Sequence, residues 1–186
     1  MIRQRALTTI AMASLLALPL AACTSSNGEE DPTTTATSQE APPTADPADA
    51  TPQERVEAYF EASDAAAADG WKDTSYADDF LIPELAEKQK TDDADRAESG
   101  AVITGERKLT NWTVTEEEDT TATVEFCDDG TGFEATKDGK PVEINNASLK
   151  VVGQFKLVRE SSSEPWMIQQ KGYYDEETTC DAHFAG

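Results

Sequence analysis

Apolar positions along this chain keep two different periods, and the change falls near residue 100. Val56, Tyr59, Phe60 and Ala67, with small Ser63 between them, recur at helical spacing and trace one stripe. Ahead of them, Thr51-Pro52-Gln53-Glu54 predicts a helix start: Thr51 caps, Pro52 fits the first helical position and Glu54 completes a capping box. Gly70 is the stop. A short second turn or helix is predicted over Trp71 to Tyr76. A third runs from Asp79-Phe80-Leu81-Ile82 into Pro83-Glu84-Leu85-Ala86-Glu87, with Pro83 at or near its start. Residues 89–100 are nearly all polar and read as a loop or a frayed helix end.

From Ala101 the period drops to two, the signature of strands with one buried face. Val102 to Leu109 and Trp112 to Thr115 alternate around a bulge. Thr121 to Cys127 sets Ala122, Val124 and Phe126 on one face and Thr123, Glu125 and Cys127 on the other. Asp138-Gly139-Lys140 signals a hairpin turn. The longest predicted strand is Ala147 to Arg159, with Leu149, Val151, Phe155 and Leu157 on one face and Val152 and Val158 opposite. Ser161 to Glu164 turns the chain into a last strand, Pro165 to Tyr174. Helices first and strands afterwards predict an α+β domain over residues 51–186, its N-terminal helices packed on one face of a curved antiparallel sheet.

Two segments precede that domain. Residues 1–22 read as a signal peptide: Arg3 and Arg5 form a positive start, Ala6 to Leu20 an apolar run, and Ala21-Ala22 the small residues before a cut. The run is about 15 residues, short of the roughly 20 that span a bilayer. Residues 24–50 hold no aromatic and no aliphatic larger than alanine, too little apolar surface to offset the entropy of ordering. They predict a disordered spacer about 25–30 Å from end to end. The segment Leu20-Ala21-Ala22-Cys23 resembles the lipobox of bacterial lipoproteins. That resemblance implies that Cys23 carries a diacylglycerol and becomes the mature N-terminus, acyl-anchored to the outer face of the cell membrane.

Removing the signal peptide takes the basic count from 15 to 13 against 37 acidic residues, a formal charge of −24. Nucleic acid and anionic lipid heads require a basic face, so both are excluded as partners; the charge itself reads as solubility. With Cys23 assigned to lipid, Cys127 and Cys180 remain, and in an oxidising exterior an even pair predicts a disulfide. No metal site or cofactor is expected. Two cysteines and one histidine do not make a metal site, and His183 reads as an exposed tail residue. Asp128-Asp129-Gly130-Thr131-Gly132 lacks the alternating carboxylates of a calcium loop and reads as a hairpin or bulged turn. Asp64 and Asp69 on the first helix read as solvent-facing, and no catalytic residue is assigned. Tyr59, Trp71, Trp112, Phe126, Phe155 and Trp166 are the candidates to line a pocket, or else to build the core.

The order of elements resembles the nuclear-transport-factor-2-like (cystatin-like, polyketide-cyclase-like) superfamily, especially secreted and lipoprotein members from actinobacteria. The likeness is carried by the capped helix ending at Asp69-Gly70, by Phe80-Leu81-Ile82-Pro83-Glu84-Leu85, and by Thr123-Val124-Glu125-Phe126-Cys127-Asp128. Pro165-Trp166-Met167-Ile168 followed by a cysteine completes it. The resemblance implies a cone whose mouth holds a small molecule; enzymatic members place an aspartate or histidine there, sometimes with a tyrosine. No motif of such a subgroup is present. The reading is therefore a non-enzymatic binding or accessory module of the cell envelope, serving a protein partner or small ligand. The alternative is a small enzyme of isomerase or cyclase type. A sealed apolar cone excludes the enzyme, whereas an open one with a buried carboxylate facing a tyrosine favours it.

Overall fold

A computed structural model describes residues 46–144, 149–175 and 177–185. The expected signal peptide, Cys23 and nearly all of the spacer lie outside them. Within the segment expected to be a disordered spacer, Pro47–Asp49 instead form a single 3-10 turn capped by Asp46. Three helices follow, α1 (Pro52–Ala68), α2 (Tyr76–Phe80) and α3 (Pro83–Ser99). Then come five strands, β1 (Ala101–Glu117), β2 (Thr121–Lys137), β3 (Lys140–Val142), β4 (Lys150–Val158) and β5 (Met167–Tyr173), and a closing turn of helix, α4 (Cys180–His183). The strands make one open antiparallel sheet in the order β1-β2-β4-β5, with β3 pairing along the far end of β2. The domain is α+β. Among the described residues no helix is long and apolar enough to cross a membrane.

The capping box at Thr51 and Glu54 is complete, with Glu54 N–H donating to Thr51 Oγ1 at 3.2 Å and Thr51 N–H to Glu54 Oε2 at 2.8 Å. At the other end of α1, Gly70 N–H reaches the Ala67 carbonyl (3.1 Å) and Trp71 N–H the Ala66 carbonyl (2.8 Å), a Schellman closure. Residues 89–99, which read as loop or fray, instead complete α3. Their lysine, alanine, glutamate and arginine content favours helix, Lys88 pairs with Asp92 one turn on at 2.6 Å, and Gly100 ends the helix at φ 69°. Polarity misleads here because Gln89 and Asp93 are buried against other polar groups.

Parity along β2 sorts its side chains as the alternation predicts. Ala122, Val124 and Phe126 join the core with Val56, Phe60 and Phe155, while Cys127 faces the other way. That outer face is covered by the C-terminal segment. Cys127 and Cys180 stand at disulfide-bonding distance, Sγ–Sγ 1.96 Å and Cα–Cα 5.5 Å. His183 is not an exposed tail residue: it lies 3.0 Å from Glu125, and its ring meets Tyr174 at a tilt and Phe184 edge-on, each with centroids 4.8 Å apart. Burial pushes the Glu125 carboxyl upward, but hydrogen bonds from Tyr174, His183 and Gln154 hold it below the usual range. The helical layer is pinned by Arg55, whose buried guanidinium donates to the Trp166 carbonyl (2.9 Å) and to the Asp79 carbonyl and lies over the Phe80 ring (4.2 Å).

The longest strands are β1 and β2, with 17 residues each, against nine in β4. β2 runs straight through Asp128–Gly132, where a chain reversal was one of the expected forms, and carries there a two-residue bulge opposite Arg107. The reversal comes later, at Asp138 (φ 52°) and Gly139 (φ 71°), as the hairpin signal predicts. Gly153 on β4 lies under Phe126, and a Cβ there would approach the ring to 2.6 Å. Gly153→Ala should therefore cost about 2 kcal/mol as overpacking of a full core. Urea denaturation checks it, and an unchanged midpoint would contradict the contact.

Candidate functional site

Between the helices and the inner face of the sheet lies a half-open cavity of about 670 Å³. Its wall is built from the second half of α1, from α3 and from inward positions of β1, β2, β4 and β5. Bulges decide which strand residues reach it. Leu157 pairs with Ile168 and Phe155 with Lys171, so three residues of β4 match four of β5. Ile168 and Lys171 thus share a face that strict alternation would deny them. Phe60, Trp71, Phe133 and Tyr173 give the cavity aromatic surface, and Ile103, Leu149 and Val151 add aliphatic surface.

Arg107 enters from β1 and lies between the rings of Phe60 (4.4 Å) and Phe133 (5.1 Å). Its Nε and Nη2 donate side-on to Asp64 at 2.9 and 2.8 Å. Its Nη1 donates to both oxygens of Asp128 at 2.8 and 2.6 Å. Burial alone would lower the guanidinium, but Asp64 and Asp128 together hold it above its usual value. Asp128 moves upward: it is buried, and it shares one cation with Asp64. The Asp64 side chain is thus drawn into the cavity wall, contrary to the solvent-facing reading. Asp69 does face solvent and pairs with Lys72 at 2.8 Å.

A second polar cluster lies on α3 and β5. The Lys171 amine donates to the Tyr59 hydroxyl at 2.8 Å and to Gln89 Oε1. Gln89 Nε2 donates to Asp93 Oδ1 at 2.9 Å; Asp93 is fully buried and also receives Tyr76 Oη (2.7 Å) and Arg96 Nη1 (2.5 Å). Burial lowers the Lys171 amine to about 8, with Asp93 opposing the shift. Burial raises the Tyr59 hydroxyl and takes that of Tyr76 up to about 12. Both phenols stay neutral donors and acceptors. Among the described residues no cluster of histidine, cysteine and carboxylate side chains suits a metal ion.

Of the aromatics singled out in the sequence, Tyr59 and Trp71 line the cavity. Trp71 sits at φ 53°, just after the Schellman closure of α1, and Arg96 lies 5.8 Å over its ring. Phe126, Phe155 and Trp166 are buried in the core, and Trp112 packs on Phe126 at 4.8 Å. Sequence reasoning passed over Arg107, weighed Asp128 only as part of a calcium-like turn, and passed over Lys171. The first two were within reach: Arg107 shares parity with Leu109, and Asp128 extends the inward series Ala122, Val124, Phe126. A charged residue at an inward position was the available signal. Lys171 gave none, because the bulge that turns it inward leaves no mark in the alternation.

No protein-family model matches the chain, and no curated protein matches its sequence. Among solved structures it is similar to the intermembrane-space region of the chloroplast protein ARC6. That crystal structure is 15% identical, with a TM-score of 0.47, over 67% of this chain and 94% of the other. It is also similar to a de novo designed β-sheet protein solved by solution NMR, 15% identical, with a TM-score of 0.30, over 66% of this chain and 88% of the other.

Proposed function

We propose that this chain is an extracytoplasmic binding module, held to the cell membrane by lipid on Cys23 and taking a small ligand into the cavity beside Arg107 and Lys171. The finer reading of the fold, a nuclear-transport-factor-2-like cone on a flexible spacer, belongs to the same proposal. One observation carries it: a cavity of about 670 Å³ with an aromatic wall and two built polar clusters, within the size range of small-molecule sites.

The isomerase or cyclase alternative has one observation in its favour: the cavity is open, and buried Asp128 lines it together with Tyr173. Binding is nevertheless the better reading. Asp128 accepts two hydrogen bonds from Arg107, so its oxygens are engaged by a cation and not poised to take a substrate proton.

The test uses the full chain produced in a lipoprotein-exporting bacterium. Wild type should fractionate with membranes and Cys23→Ala with the soluble fraction; a variant that stays in the membrane overturns the anchor. Native mass spectrometry of the protein should find a bound small molecule that Phe133→Arg, which fills the cavity, expels. Protein that is empty, and whose melting temperature no amphipathic compound shifts, overturns the binding role.

A further inference from the structure

Three cations line the cavity, Arg96, Arg107 and Lys171. Arg107 is shared by two carboxylates, and Arg96 pairs with Asp93. Lys171 is different. Its hydrogen-bond partners are neutral oxygens, the Tyr59 hydroxyl and Gln89 Oε1. An ammonium has three donors, and these contacts use two. The Tyr59 hydroxyl adds a second polar group at the same point, and Tyr59, like Lys171, lines the cavity. A partly buried ammonium without a carboxylate contact is costly unless something supplies the opposite charge. The chain, at −22, holds many carboxylates, yet none is within ion-pairing distance of this amine among the described residues.

We infer that the ligand is an amphipathic monoanion whose carboxylate meets the Lys171 ammonium and the Tyr59 hydroxyl while its apolar body lies against Phe60, Trp71 and Phe133. The inference rests on the binding role proposed above and deepens it. Arg107 is not the anion's anchor, because Asp64 and Asp128 already outnumber its charge. They would repel a second anion beside Arg107, so the ligand is oriented: its acid group lies at Lys171 on β5, away from the two carboxylates that share Arg107. Burial lowers the Lys171 amine, and Asp93, which does not contact it, offsets that only in part. The groups facing it are Tyr59 from α1, Gln89, Asp93, Arg96, Lys88 and Asp92 from α3, and Tyr173 on its own strand.

The test compares pyrenebutyric acid with pyrenebutyramide, matched in shape and differing in charge, by fluorescence titration of the full chain at pH 7. Wild type should bind the acid about tenfold more tightly, the difference of one charge-assisted hydrogen bond. Lys171→Met should bring the acid-to-amide ratio to about one. On wild type alone, the acid's advantage should fall as pH rises above about 8, where the free amine loses its proton; this arm holds even if the variant fails to fold. Equal binding of acid and amide by wild type, a preference that survives in Lys171→Met, or a ratio unchanged to pH 10 overturns the inference and leaves the cavity as a binding site. Failure of both probes to bind wild type overturns the inference together with the cavity reading beneath it.

Discussion

Arg107→Met should lower unfolding stability at neutral pH by about 3 kcal/mol, because it leaves the Asp64 and Asp128 carboxylates facing each other without their cation. Asp128 side-chain exposure is only 8%, so water does little to replace the guanidinium there; Asp64, at 26%, is partly relieved by solvent. Arg107→Lys should recover little, since one ammonium cannot reproduce a fork that bonds two carboxylates at once. The pH dependence has a definite sign. Burial raises the Asp128 carboxyl in the folded protein, and removing Arg107 raises it further. A group raised on folding favours the folded state below its unfolded value, near 3.9, and loses that favour as pH rises through the folded one. The variant should therefore regain more stability than wild type as pH falls from 7 toward 5. Adding Asp64→Asn and Asp128→Asn to Arg107→Met should restore most of the loss at pH 7. Urea midpoints across that pH range decide it. A variant as stable as wild type at pH 7 would mean that the cluster carries no net coupling.

Breaking the bond between Cys127 and Cys180 should cost about 4 kcal/mol. The two residues are 53 apart, and releasing a loop of that size returns this much entropy to the unfolded chain in the loop-closure model. Cys127→Ala with Cys180→Ala should show it as a lower urea midpoint. Reductant should lower wild type to the same level and leave the double variant unmoved. The loss should be felt locally as well. Cys180 anchors the segment that covers the outer face, where His183 and Tyr174 meet Glu125. Amide exchange should rise first in residues 177–185 and along the outer positions of β2.

These two features were not equally visible in the chain. The disulfide followed from two cysteines and an inferred compartment, and the first helix from a capping box that needs only four residues. The inner face of β2 was legible because strict alternation holds from Ala122 to Cys127. Legibility ended where the backbone departs from regularity. Asn111 takes φ 57° in a bulge of β1, and that bulge sets Leu109 and Trp112, three apart, together against the core. The β2 bulge opposite Arg107 and the β5 bulge before Lys171 do the same for the cavity. A bulge is one or two residues long and changes the parity of everything beyond it, so a period-two reading fails just where the site is assembled. The length of α3 was missed for a different reason. Its second half is polar because it faces Asp93's buried network and solvent, and neither requires apolar side chains.

The direction of α1 has a practical outcome for anyone who handles this protein. Its lining residues begin at Tyr59 and end at Ala67, whereas the chain enters at Thr51, about 12 Å farther along the axis. Arg55 clamps that leading turn to the Trp166 carbonyl and does not line the cavity. A sensor chip, bead or fluorescent fusion joined ahead of Thr51 would thus hold the domain by a turn that does not line the cavity. The residues that line the cavity would then take no part in the attachment.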